Sequence, residues 1–169
     1  MKILLALGLP LVLAGCAHSS CDPAEPGSDC RRQWLLQQND LLQAKILTTA
    51  GDPEGFELAH ALLDRAGERD TRGEVELYRA LLLMQEHAGA EPVLQALQAA
   101  ADKRHPHAIA LLYRIYSTPL LVEQPDPEAA DRYRQAYAEL DVARSGYPSF
   151  EHALALADRL VAPHDAGRR

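Results

Sequence analysis

Ala99-Ala100-Ala101-Asp102-Lys103-Arg104-His105-Pro106-His107-Ala108-Ile109-Ala110-Leu111-Leu112-Tyr113-Arg114-Ile115-Tyr116 holds the end of one helix, a boundary and most of the next. Proline is favoured in the first turn of a helix and excluded from its interior, so His105-Pro106 opens a helix and does not continue one. Ala108, Leu111, Leu112, Ile115 and Tyr116 then recur at three and four, the period of a buried helical face. Pro119 cuts this helix. Before the boundary, Pro92 occupies a first-turn position of a helix predicted from Glu91 to about Lys103.

The same reading extends in both directions. Toward the N-terminus the periodicity predicts helices over about Arg31 to Thr49, Pro53 to Ala66 and Thr71 to His87, divided by Gly51-Asp52-Pro53, Gly67 and Gly89. Trp34, Leu35, Leu41, Leu42 and Ile46 are expected to form the buried stripe of the first. Phe56, Ala59, Leu63 and Ala66, widened by Leu58 and Leu62, are expected to form that of the second. Toward the C-terminus, Asp126-Pro127 is a capping signal for a helix carrying Ala129, Tyr133, Ala136, Tyr137, Leu140 and Ala143, ended by Gly146. A last helix, Pro148 to about Val161, presents Phe150, Ala153, Leu156, Ala157 and Leu160. No strand-like alternation occurs between Arg31 and Val161, so the expected fold class is all-α with about seven helices.

The boundaries at Thr71, His105 and Gly146 each precede the first helix of a pair, 34 and 41 residues apart. That interval is the period of a helical-hairpin solenoid. Ala99 to Ala153 resembles the Sel-one-like branch of the tetratricopeptide-like repeats. The residues that carry the resemblance are His105-Pro106-His107-Ala108, Leu112, Tyr116, Asp126-Pro127-Glu128-Ala129, Tyr133-Arg134-Gln135-Ala136 and Gly146-Tyr147-Pro148. The hairpin from Gly73 to Ala101 matches more loosely. Two departures stand out: Tyr113 replaces the family's usual glycine, and Ser117-Thr118-Pro119 replaces its glycine-rich loop. The resemblance implies a protein-binding surface and not a catalyst, since stacked hairpins form an extended groove suited to a peptide or a partner's helix.

The N-terminus addresses the chain. Lys2 precedes an apolar run from Ile3 to Leu13, too short to span a bilayer as a retained helix. Leu13-Ala14-Gly15-Cys16 resembles the bacterial lipobox, which implies cleavage before Cys16 and acylation of that cysteine; the alternative is an ordinary secretory peptide. Ala17 is not the aspartate that resembles an inner-membrane retention signal, which implies an outer-membrane anchor facing the periplasm. Residues 1–15 are thus expected to be signal peptide, 16–30 a lipidated tether, 31–162 the helical repeat domain and 163–169 a flexible tail. Cys21 and Cys30 flank a loop that contains Pro23, Pro26 and Gly27 and has no large apolar side chain to pack. They are expected to pair as a disulfide in that compartment, where such bonds persist.

Charge narrows the partners. The chain has 17 basic and 24 acidic side chains; removing residues 1–15 leaves 154 residues with a net charge of −8. Phosphate neutralisation needs a basic stripe, so no nucleic acid is expected, and an acyl group must supply the hold on a membrane. His105 and His107 suggest a metal or an acid/base pair, but a proline separates them at a helix start, and they read as turn residues. No catalytic motif, metal site, cofactor or small-molecule site is expected. The expected role is an adaptor binding other envelope proteins of an assembly, secretion or polysaccharide-export system. Tyr113, Tyr116, Arg134 and Tyr137 are the expected partner-binding residues, with Leu120 to Val122 as an apolar rim. An immunity-type inhibitor of a toxic enzyme, and more remotely a glycan- or peptidoglycan-acting enzyme, are the alternatives.

Overall fold

A computed structural model describes residues 23–141 and 149–161. Among these residues there are seven α-helices and no strand. They are α1 (Asp29–Ala50), α2 (Phe56–Gly67), α3 (Glu74–Gln85), α4 (Ala90–Asp102), α5 (Pro106–Ser117), α6 (Pro127–Ala138) and α7 (Phe150–Val161), with a 3₁₀ turn at Pro53–Gly55 before α2. Consecutive helices pack in pairs, α1 with α2, α3 with α4 and α5 with α6, while α7 lies on α5. Cys16, Cys21, Ala143, the tail 163–169 and the signal segment 1–15 lie outside the described residues; Cys30 is disulfide-bonded.

Local chemistry sets the helix limits. Ser28 caps α1 by accepting the N–H of Arg31 at 3.0 Å, so the helix begins two residues before the expected start. Gly51 ends it in the left-handed region, φ 67°, donating to the Leu47 carbonyl. Asp70 accepts the N–H groups of Arg72 and Val75, each at 3.0 Å, and this turn delays α3 from Thr71 to Glu74. Asp126 caps α6 through Ala129 N–H at 3.0 Å. The loop before it is closed by Asp126 N–H donating to the Tyr116 carbonyl at 2.8 Å. Leu121 and Val122 pack against the core there, leaving only Leu120 exposed.

Two apolar clusters share α3. Leu77, Ala80 and Leu81 join α4, α5 and α7 in the larger one; Val75 and Leu82 join α1 and α2 in the smaller. Polar contacts fix the helix in place from both ends. Lys45 of α1 pairs with Glu74, Gln85 Nε2 donates to the Thr48 carbonyl at 2.8 Å, and Lys103, just past α4, donates to Glu76 at 2.6 Å. Arg65 of α2 binds the buried Asp40 carboxylate of α1 through two hydrogen bonds, 3.0 and 2.6 Å, a fork geometry that orients as well as attracts. Arg114 of α5 grips Asp158 of α7 in the same way, at 2.7 and 2.5 Å.

The stripe expected to bury α1 is corrected. Of its five members only Leu41 is buried; Trp34 (41% exposed), Leu35 (48%), Leu42 (58%) and Ile46 (59%) face outward. The buried side is instead Asp40, Leu41, Ala44 and Thr48, because among the described residues α1 has neighbours, α2 and α3, on one side alone. Leu58 of α2 is likewise exposed. The start of that second helix departs from expectation too, since Pro53–Gly55 is 3₁₀. Gly67 is the last residue of α2 and not its cap, and α6 ends at Ala138, earlier than expected.

The turn that enters α3 approaches the backbone of α4 closely at Gly73. Gly73 has φ +74°, and a Cβ there would sit 2.6 Å from the Ala100 carbonyl oxygen. Gly73→Ala therefore meets both left-handed backbone strain and overlap with α4 backbone, and should lose roughly 2–4 kcal/mol. Gly27→Ala, at φ +78° but with nothing within 4 Å, should lose only about 1 kcal/mol. Urea midpoints of the two variants check the difference.

Candidate functional site

The first helices of the three pairs and α7 enclose a cavity of about 250 Å³. Its floor is apolar: Leu77, Tyr78 and Leu81 of α3, with Leu156 and Leu160 of α7. Thr48 and Thr49 close it at the end of α1, Gln85 at the end of α3, and His105 and His107 at the start of α5. Thr48 and Thr49 arrive at the glycine-capped end of α1, Gln85 as the last residue of α3, and His105 and His107 at the proline-initiated start of α5.

Several of these groups are buried with hydrogen-bonding capacity unused. Thr48 is 2% exposed, yet its Oγ1 has no partner among the described residues; nor have Oε1 of Gln85 and Nδ1 of His105. Leaving a buried donor or acceptor unpaired costs roughly 1–3 kcal/mol each, so such a concentration is informative. Gln85 explains its own half: Nε2 is committed to the Thr48 carbonyl, which leaves Oε1 buried without a partner among the described residues.

The two imidazoles stand 5.6 Å apart, centroid to centroid, and tilted by 46°. Burial pushes both down to about 4, and His107 lowers His105 further while Glu74 opposes the shift. They are therefore neutral at neutral pH, each offering one N–H and one lone pair. Glu74, on the same wall, is already paired with Lys45 and lies 3.5 Å from Arg72; Lys45 also sits 5.3 Å over the Tyr78 ring. Arg159 of α7 is exposed at the rim and pairs with no carboxylate among the described residues. The cavity thus presents neutral donors and acceptors over an apolar floor, with a cation at its edge. No group of three or more His, Cys, Asp or Glu stands in a metal-binding arrangement among the described residues.

The residues expected to bind a partner are not brought together on one open surface. Tyr137 is 2% exposed and packs edge-on to Phe150, with ring centroids 5.0 Å apart, so the role expected of it is corrected: it is core. Tyr113 also contacts Phe150, 4.9 Å between centroids, and is half-buried. Arg134 is exposed, with its guanidinium 5.8 Å over the same ring. Tyr116 instead stacks on Tyr133 at 5.7 Å, and Tyr133 donates its hydroxyl to Gln98 at 2.5 Å. One phenylalanine gathers three of the four, and the fourth joins a separate contact between α5 and α6.

In the sequence His105 and His107 read as turn residues, and Thr48 and Gln85 carry no signal at all, being ordinary polar residues near helix ends. No protein family, curated protein or solved structure matches the chain.

The histidines give the site a pH signature. Their folded values, about 4, lie below the ordinary 6.5, so between these values the unfolded chain binds more protons. Stability should therefore rise from about pH 4 to about pH 6.5, by an amount on the order of 2 kcal/mol for the pair after allowance for partial exposure. Urea titrations across that range should show the rise, and His105→Gln with His107→Gln should flatten it.

Proposed function

We propose that the chain is a lipid-anchored adaptor of the bacterial envelope, acylated on Cys16, held at the outer membrane facing the periplasm, and binding an extended segment of another envelope protein. In this reading the helix pairs are Sel-one-like, tetratricopeptide-like hairpins of a solenoid, and Cys21 and Cys30 form the bridge that secures the tether to α1. The observation that supports it most directly is the cavity on the first-helix side. In this reading a side-chain shift brings the Thr48 hydroxyl, the Gln85 amide oxygen and the neutral His105, buried and unpartnered in its wall, to the N–H and carbonyl groups of a peptide backbone, while Leu77, Leu81 and Leu156 accept apolar side chains. Two imidazoles with values near 4 are weak bases at neutral pH, which favours binding over proton abstraction.

A photo-crosslinking residue placed at Leu156 in the acylated protein should capture a resident envelope protein. Capture should fall roughly thirtyfold in a Thr48→Val, Gln85→Leu variant, which removes two hydrogen-bonding groups worth about 1 kcal/mol each. It should also fall in Cys16→Ser, which releases the anchor. Capture of a toxic hydrolase instead would favour the inhibitor reading, and capture from Tyr116 but not Leu156 would move the binding surface off the cavity.

A further inference from the structure

The outward face of α1 has no partner among the described residues, and its composition specifies one. Leu35, Leu42 and Ile46 lie seven and four residues apart on a single face, close to the side opposite Asp40, Leu41, Ala44 and Thr48. Trp34 borders them. In a chain of net charge −7, α1 carries only two carboxylates. Asp40 is buried against Arg65, and Asp29 is paired with Arg32, so no free carboxylate lies on the apolar stripe. Arg31 and Arg32 stand at the end of the helix nearest Cys16.

We propose that this face of α1 lies on the lipid surface, with Leu35, Leu42 and Ile46 in the acyl boundary. The inference rests on the reading of Cys16 as acylated. Asp29 follows Cys16 by thirteen residues, which even fully extended span no more than about 45 Å. The anchor thus keeps α1 at high local concentration beside the bilayer, where a narrow apolar stripe suffices. A stable protein interface needs roughly 20–30 residues a side, far more than this stripe offers to a second copy. No described helix is long and apolar enough to cross a membrane, so the contact is with the surface.

Trp34, the single tryptophan, reports the contact directly. The full chain, purified from membranes, is placed in phosphatidylethanolamine and phosphatidylglycerol vesicles whose acyl chains are brominated near the headgroup. Trp34 emission should fall at least about twofold relative to unbrominated vesicles. The fall should vanish in Leu42→Asp with Ile46→Asp, or in the milder Leu42→Gln with Ile46→Gln if the first variant does not fold, and persist in Leu120→Asp. The mass of the N-terminal peptide reads acylation separately. Acylated protein with unquenched Trp34 overturns the inference while leaving the anchor standing, and crosslinked dimers through Ile46 would then assign the face to a second copy. Quenching without acylation would keep the surface contact and overturn the anchor; neither quenching nor acylation would overturn both.

Discussion

Helix α3 must be buried on two sides at once, and the rest of the molecule is arranged to allow it. Its twelve residues place Val75 and Leu82 in one apolar cluster and Leu77, Ala80 and Leu81 in the other. A helix apolar on both flanks is stable only between neighbours. Here α1 and α2 cover one flank, and α4, α5 and α7 join the cluster on the other. The polar residues along α3 then set the register of those neighbours: Glu74 and Gln85 toward α1, Glu76 toward Lys103 at the end of α4, and Arg79 toward Asp64 of α2 at 2.8 Å.

The cavity is a by-product of that arrangement. Thr48, Gln85, His105 and Leu156 come from or adjoin four helices, and they meet along the edge of α3 between its two buried flanks, where Leu77, Tyr78, Leu81 and Gln85 line the cavity. The bidentate pair of Arg114 and Asp158 holds α7 against α5, which supplies the last wall. Burial that stabilises the helices also strips water from His105 and His107, and the neutral state of both follows from their position, not from any feature of the residues themselves.

The two ends of the array differ for a physical reason. α7 is drawn into the larger cluster by Ala153 and Ala157, fully buried, and by Phe150 against Tyr113 and Tyr137. Among the described residues α1 is covered on one side alone. Its sequence nevertheless carries apolar residues on two faces, so a single stripe could not be chosen from periodicity: the cluster at Trp34, Leu35, Leu42 and Ile46 looks as suited to a core as the side that Leu41 and Ala44 occupy.

All-α character, the seven helices of the described residues and most of their boundaries were legible in the sequence, because proline, glycine and capping side chains act within a few residues of where they stand. His105-Pro106 opens α5 and Asp126-Pro127 opens α6 for local reasons that no neighbour needs to supply. The site was not legible. Whether Tyr137 faces a partner or Phe150, whether Leu42 faces α3 or the exterior, and whether Gln85 Oε1 is solvated or enclosed depend on which helix lies alongside. Those choices are decided by packing between residues tens of positions apart, and only the tertiary structure makes them.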